Sequence, residues 1–271
     1  MAKRPPAPLT PLPADIRLMN VTAVVLATIG AFALVAVVLL WAAHRPVFAL
    51  REIRVDGDLA HNSALTIRAN AAPKLAGNFF TLDLAAGRRA FESVPWVRQA
   101  IVRRVWPNRL RVHLEEHRPA ALWVSSASGD EASDRMVNSF GEVFEANPGD
   151  VEDDALPTLR GPEGSSAHML AMLGRLRPEF ANMDAHIDTL ALSGRGSWKV
   201  GLDTGAEVEL GRGSDDEVIA RTGSFVATLP EVRNRYQQHP LLYADLRHND
   251  GYAVRLKGVS TSTDAGKTQK K

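Results

Sequence analysis

The sequence contains no cysteine, so disulfide bonds and thiolate metal ligands are excluded. It also has almost no net charge: 32 basic and 31 acidic side chains leave +1, which gives no general attraction to nucleic acid. The signatures G-x-S-x-G, S-x-x-K, H-E-x-x-H and a complete Walker A sequence do not occur. These absences favour a binding or scaffold protein, and we expect no enzymatic activity and no cofactor.

One stretch of the chain lacks charge altogether. Residues 21–43, VTAVVLATIGAFALVAVVLLWAA, would span roughly 34 Å as a helix, enough for a hydrocarbon core of about 30 Å. A buried core helix would show one polar face, and the apolar region of a signal peptide usually covers only about 7–15 residues. The pattern therefore predicts an uncleaved transmembrane helix at 21–43, preceded by a cytoplasmic tail at 1–20.

Basic residues flank this segment on both sides, three before it and three soon after it: Lys3, Arg4, Arg17, Arg45, Arg51 and Arg54. The positive-inside rule therefore gives almost no preference for either orientation of the helix. A short tail before one signal-like helix and a long folded region still favours a cytoplasmic N-terminus. In a bacterium, that orientation would make the chain a single-pass type II protein of the inner membrane with its bulk in the periplasm.

A short motif, HLEEH at 113–117, matches the H-x-x-E-H signature of one class of zinc peptidases. In a helix, His113 and His117 would share a face and could share a metal ion. The residues at 109–115 instead alternate between polar and apolar after a turn at 106–109, which predicts a strand. Along a strand the two histidines would lie roughly 13 Å apart, too far to share a zinc ion, so we expect no metal site. A metalloenzyme is therefore a less favoured hypothesis than a binding or scaffold protein.

The remaining pattern predicts an α+β protein. Residues 46–118 fit the order strand, helix, helix, strand, strand, and residues 119–258 fit several strands with two helices. In GRGSDDE, which lacks the third glycine of a dinucleotide fingerprint, Ser214 and Glu217 predict a capping box that opens a helix. Residues 259–271 show no apolar periodicity and are expected to be disordered.

Five segments then occur in an order typical of one protein family: IRVDG (53–57), VPWVRQAIVRRVWPNRLRVHLEEHRPAALW (94–123), LPTLRGPEGS (156–165), SWKVGLDTGAEVELGRG (197–213) and YADLRHNDGYAVRL (243–256). With them the chain resembles the FtsQ/DivIB family of bacterial cell-division proteins, in its proteobacterial branch. The resemblance implies a POTRA domain (βααββ) at 46–118 and a strand-rich β-domain with mixed α and β elements at 119–258. It also implies a location at the midcell division septum and no enzymatic activity.

The resemblance further implies a scaffold of the divisome that joins early division proteins to FtsB and FtsL, and through them to septal peptidoglycan synthesis by FtsW and FtsI. FtsK and FtsA are further expected partners. FtsB is expected to add a β-strand beside the last strand of the β-domain. The expected FtsB-binding residues are Arg195, Arg247, His248, Asp250, Gly251, Tyr252, Ala253, Val254, Arg255 and Leu256.

The family's proteobacterial type often carries Tyr, Ser and Trp where this chain has His248, Asp250 and Leu256. Backbone pairing tolerates such changes better than contacts between side chains do. The alternative function is an outer-membrane assembly or secretion module, because POTRA domains also serve there.

Overall fold

The computed structural model of the chain describes residues 14–43, 45–57, 59–61, 67, 69, 75, 78–126, 134–151, 156–248 and 251–259. Four expectations fall mainly outside these residues. They are the cytoplasmic tail at 1–20, the first POTRA helix, expected from Asn62 or Ser63 to about Pro73, the tail beyond residue 259, and the site residue Asp250. Within the expected first POTRA helix, Ile67 is described and is fully buried.

Helix α1 runs from Ala14 to Ala43 and therefore begins before the expected boundary at Val21. Among the described residues it is the one helix long and apolar enough to cross a membrane, over Leu18–Ala42. The large apolar side chains along this stretch are exposed rather than packed against the rest of the chain. The helix fits a single-pass membrane protein.

A three-stranded sheet follows, in the order β1-β3-β2, with β1 (Glu52–Gly57), β2 (Val97–Val105) and β3 (Arg109–Glu116). Strands β1 and β3 are parallel. Helix α2 (Leu84–Glu92) precedes β2, and the carboxylate of Asp83 accepts hydrogen bonds from the first-turn amides of Ala85 and Ala86. The predicted alternation in β3 is confirmed, because its apolar side chains at 110, 112 and 114 are buried.

A nine-stranded sheet has the order β12-β11-β10-β9-β8-β7-β4-β5-β6. Its strands are β4 (Pro119–Ser125), β5 (Arg135–Asn138), β6 (Val143–Glu145), β7 (Thr158–Gly161), β8 (Ile187–Leu192), β9 (Trp198–Leu202), β10 (Glu207–Gly211), β11 (Leu241–Asp245) and β12 (Ala253–Leu256). The pairs β4–β7, β7–β8 and β10–β11 are parallel. The described strands at its two ends are therefore β6 and β12.

Helices α3 (Ser166–Ala181) and α4 (Asp215–Arg235) pack with the inward side chains of this sheet in one apolar core. The predicted capping box is confirmed: the Glu217 amide lies 3.3 Å from the Ser214 hydroxyl, and the Ser214 amide lies 2.8 Å from the Glu217 carboxylate. Helix α3 begins after Ser165, but this side chain makes no cap hydrogen bond because its hydroxyl donates to the carbonyl of Pro162.

By backbone proximity the chain forms two compact units. The first comprises residues 1–57, 64–94 and 100–114, and the second comprises residues 58–63, 95–99 and 115–271. The fold class is α+β, as the sequence predicts.

Candidate functional site: the free edge of the nine-stranded sheet

Strand β12 ends the nine-stranded sheet, and β11 is the one described strand that pairs with it. Just past β12, the Lys257 amide donates to the Pro240 carbonyl (2.9 Å), so the backbone of Lys257 faces β11. Backbone groups in an antiparallel strand alternate in direction from one residue to the next. The N–H and C=O groups of Val254 and the N–H group of Leu256 therefore point away from β11, towards the free edge, whereas the Leu256 carbonyl accepts a hydrogen bond from the Val259 amide (3.4 Å).

The side chains of β12 divide between the two faces of the sheet. Val254 and Leu256 pack against the apolar core, and Ala253 and Arg255 are exposed on the opposite face. The guanidinium carbon of Arg255 lies 5.6 Å from the ring centroid of Tyr243 on β11. The edge thus has an anchored inner face and leaves its outer backbone groups for another chain.

Arg247 follows β11 at the same edge and is held by Asp245. The Nε and one terminal nitrogen of Arg247 lie 2.9 and 2.6 Å from the two carboxylate oxygens. These hydrogen bonds lower the pKa of the Asp245 carboxyl to about 2 and raise the pKa of Arg247. The Arg247 side chain is still 56% exposed. Because a guanidinium carries five N–H groups, it can bind a second carboxylate while Asp245 orients it.

Arg195 lies in the turn between β8 and β9 and is exposed. Since β9 runs opposite to β10, and β10 runs parallel to β11, this turn is at the same end of the sheet as Arg247. Two strand spacings, about 10 Å, separate β9 from β11. No described carboxylate pairs with Arg195. The structure therefore places both expected cations along one rim.

The start of β12 borders a groove of about 570 Å³ beside helix α4, lined by Arg212, Arg221, Phe225, His248, Gly251 and Tyr252, among others. The Tyr252 hydroxyl lies 2.8 Å from the Thr228 hydroxyl, and its ring lies edge-on to Phe225. Tyr252 therefore packs within the unit, whereas His248 and Gly251 are exposed. Asp250 lies outside the described residues.

The HLEEH residues do not approach one another as metal ligands. His113 lies on β3 with its Nδ1 atom 3.2 Å from Asp56, and His117, just after the strand, accepts a hydrogen bond from the Asn138 amide (2.9 Å). In the part of the chain that the structure describes, no three His, Asp or Glu side chains group closely enough to hold a metal ion.

Three residues that position the edge were not singled out in the sequence. Asp245 orients Arg247, Tyr243 lies beside Arg255, and Thr228 bonds to Tyr252. The Asp-x-Arg spacing at 245–247 is a visible signal for the first of these. The other two depend on which strand and helix lie next to β12, and short-range patterns do not contain that information.

A long apolar helix followed by a folded region fits a single-pass membrane protein. Residues 48–117 match the family model "POTRA domain, FtsQ-type", and residues 121–247 match "Cell division protein FtsQ/DivIB, C-terminal". The chain belongs to the FtsQ/DivIB family of cell division proteins.

Relatives named "Cell division protein FtsQ" are similar over most of their length. The protein of Burkholderia pseudomallei is 41% identical over 94% of this chain and 99% of its own length. Those of Thiomonas arsenitoxydans and Bordetella pertussis are each 38% identical, over 92% and 89% of this chain and 90% and 92% of their own lengths. The family consists of non-enzymatic scaffold proteins. This confirms the expectation of no enzymatic activity and supports a role in the divisome.

Proposed function

We propose that this protein is a septal scaffold of the inner membrane, with its folded part in the periplasm, and that strand β12 accepts an added strand from FtsB. Through FtsB it would hold FtsL and act on the septal synthases FtsW and FtsI, with FtsK and FtsA as further partners. The observation that carries this proposal is the position of β12 at the free edge of the sheet in a member of the FtsQ/DivIB family.

Backbone geometry supports strand addition. Because the inner face of β12 is packed in the core, the strand is held in extended form before a partner arrives. An incoming strand can pair with the outward N–H and C=O groups of Val254 and the outward N–H group of Leu256 without disturbing β11. Pre-ordering of this kind lowers the entropic cost of binding.

Charge supports an acidic partner segment. Arg255 and Lys257 lie on or beside the edge strand, and Arg247 and Arg195 lie on the adjacent rim. Carboxylates on the added chain would find a guanidinium already oriented by Asp245. No observation favours the outer-membrane or secretion alternative, since the matched POTRA model is of the FtsQ type.

Proline at Val254 tests the backbone contact. The outward N–H would be lost while pairing with β11 is kept, because proline is tolerated where the N–H of an edge strand faces solvent. With the full-length protein in nanodiscs, Val254→Pro should weaken FtsB binding at least about tenfold. Val254→Ala, which keeps the N–H, should bind nearly as tightly as the wild type.

The opposite edge provides a matched control. On β6 the Ala146 amide bonds to the Asp134 carbonyl, so the Glu145 amide points outwards. Glu145→Pro should leave FtsB affinity unchanged. If Val254→Pro remains folded in thermal unfolding and still binds with wild-type affinity, strand addition at β12 is wrong.

The cellular proposal is tested in the native host. Depletion should give filamentous cells in which FtsB is lost from midcell, and protease added outside the cytoplasmic membrane should cleave the folded part. Normal septation after depletion would contradict the septal role, and cleavage from the cytosolic side alone would contradict the orientation.

A further inference from the structure

Exposed apolar side chains gather at one end of the first unit. Outside helix α1, eight large apolar side chains of the described residues are exposed. Four belong to this end: Val47, Phe80, Val105 and Trp106, the last of these 74% exposed. We call this group the juxtamembrane patch. A side chain this exposed buries little of its apolar ring within the described part of the chain.

Hydrogen bonds tie the patch to the residues that follow helix α1. The tip of the β2–β3 hairpin is held there because the Arg51 amide donates to the Asn108 carbonyl (3.0 Å) and the Asn108 side chain donates to the Val47 carbonyl (3.4 Å). On the other side, the Phe79 amide donates to the Phe48 carbonyl (2.9 Å), and the rings of Phe48 and Phe80 lie 4.9 Å apart.

The chain itself limits the distance from the patch to the helix. Val47 comes four residues after the end of helix α1 at Ala43, a reach of at most ~14 Å. The chain is wound here, since the Arg45 amide bonds to the Ala42 carbonyl and the Phe48 amide bonds to the Arg45 carbonyl, so the true distance is shorter. The headgroup layer on each side of a bilayer is about 5–8 Å thick. A helix that spans the bilayer therefore brings the patch to this layer.

The charges beside the patch are basic. Arg45, Arg51 and Arg103 are exposed, and no described carboxylate pairs with any of them. The nearby carboxylates of the small sheet already have basic partners: Glu52 pairs with Arg54 and Arg109, and Asp56 lies 3.7 Å from Arg111. The net charge beside the patch is therefore positive.

We infer that the juxtamembrane patch lies in the headgroup layer of an anionic phospholipid bilayer, with Trp106 and its apolar neighbours entering the layer and Arg45, Arg51 and Arg103 binding lipid phosphates. Tryptophan favours this layer because its ring is apolar and its N–H is polar, and basic side chains next to a span bind anionic lipid. The inference rests on the proposed function, in which helix α1 spans a membrane. The first unit is then held against the bilayer by its surface as well as by its anchor.

The absence of cysteine makes a site-specific test direct. Val105→Cys places a fluorescent label next to Trp106 in the full-length protein, reconstituted into vesicles of phosphatidylcholine with or without phosphatidylglycerol. Lipids with a quencher near the headgroup should quench this label, and more strongly with phosphatidylglycerol. A label at Phe140→Cys, an exposed apolar position of the second unit, should stay unquenched.

Two substitutions separate the apolar and basic contributions. In the Val105→Cys background, Trp106→Ser should reduce quenching in both kinds of vesicle. Arg51→Gln and Arg103→Gln should reduce only the gain from phosphatidylglycerol, roughly fivefold in the bound-to-free ratio for each arginine. If neither arginine substitution changes that gain, the anionic-lipid contact is wrong.

A label at Leu34→Cys, inside helix α1, distinguishes failure of the anchor from failure of the patch. If Leu34→Cys is quenched by deep quenchers and Val105→Cys is as accessible to solvent as Phe140→Cys, the inference is wrong while the anchor stands. If Leu34→Cys is also unquenched, the membrane assignment in the proposed function fails with it. Protection of Val105→Cys that appears only when partner proteins are added would assign the patch to a protein and overturn the lipid contact.

Discussion

The two edge strands of the nine-stranded sheet present similar backbone groups but opposite charges. Strand β12 contains Arg255 and is followed by Lys257, whereas β6 contains Glu145 and is preceded by Glu142. An added strand that carries carboxylates is attracted to β12 and repelled by β6. Charge beside the strand would therefore favour β12 for an acidic partner, although backbone pairing alone would allow either edge.

The two edges also differ in how their polar groups are satisfied. Near β6, the fully buried Asn138 donates to Glu142 (2.7 Å) and His117, and its carbonyl oxygen accepts from the amides of Phe140 and Glu142. Hydrogen bonds from Arg98 and Asn138 lower the pKa of the Glu142 carboxyl. At β12, Arg247 has one internal partner and remains more than half exposed. At the β6 end, these polar side chains are hydrogen-bonded to one another. At the β12 end, the exposed guanidinium of Arg247 can still donate hydrogen bonds to another chain.

The largest expected effect is loss of stability at the β6 end. Asn138→Leu would leave two backbone amides, the His117 ring and Glu142 without a hydrogen bond that they now have. The free energy of unfolding should fall by roughly 2–4 kcal/mol, measured by urea denaturation. Affinity of the folded variant for FtsB should not change, because β12 is at the other edge.

Asn182→Ala is the matched control, since Asn182 is exposed at the end of helix α3. Its effect on the free energy of unfolding should stay within about 0.5 kcal/mol. A loss of FtsB affinity in folded Asn138→Leu would show that the β6 and β12 edges are not independent of each other.

A smaller effect is expected at the β12 end from Asp245→Asn. The side chain of Asp245 is only 12% exposed, and the pKa of its carboxyl is lowered to about 2 by Arg247. A depressed carboxyl pKa stabilises the fold at pH values above the unfolded pKa, near 3.8, and this contribution is lost as pH falls towards 2. At pH 7 the variant should lose about 1–2 kcal/mol, and the difference should vanish near pH 2.

Unlike Asn138→Leu, this substitution should also weaken FtsB binding, because Arg247 would no longer be oriented. The exposed Asp188→Asn is the control for removing one carboxylate from the second unit. Calorimetric titration with FtsB, alongside denaturation at several pH values, measures both quantities. A pH-independent loss of stability in Asp245→Asn would contradict the ion-pair account.

Much of the local fold could be predicted from short patterns. The alternation through Leu110, Val112 and Leu114 predicted β3, and a strand at this position argues against a zinc site in HLEEH. The Ser214–Glu217 spacing predicted the start of helix α4. In each case the physical cause lies within about four residues, where strand alternation and capping operate.

The candidate site was less accessible to prediction. Whether β12 is an edge depends on the order of nine strands, which combines parallel and antiparallel neighbours from distant parts of the chain. From the residues alone, an ordinary last strand was expected at 251–256, and the proposal that a partner binds there came from the family resemblance. The internal pairing of Arg247 and the inward packing of Tyr252 depend on the same tertiary order.

The smallest expected effect concerns pH at the β6 end. The orientation of the Asn138 amide makes Nδ1 of His117 an acceptor, which requires a neutral ring, and burial lowers the pKa of His117. As pH falls below about 6.5 the unfolded chain takes up this proton first, so the contribution of His117 to stability declines. In an NMR titration the His117 ring should titrate below its ordinary value, and His117→Phe should flatten the pH dependence of unfolding. The Asp245–Arg247 pair persists to about pH 2, so acidification to pH 5 should loosen the β6 end and leave the β12 edge intact. If His117 titrates at or above its ordinary pKa, burial does not keep its ring neutral. The two edges would then differ only in the charge of their side chains.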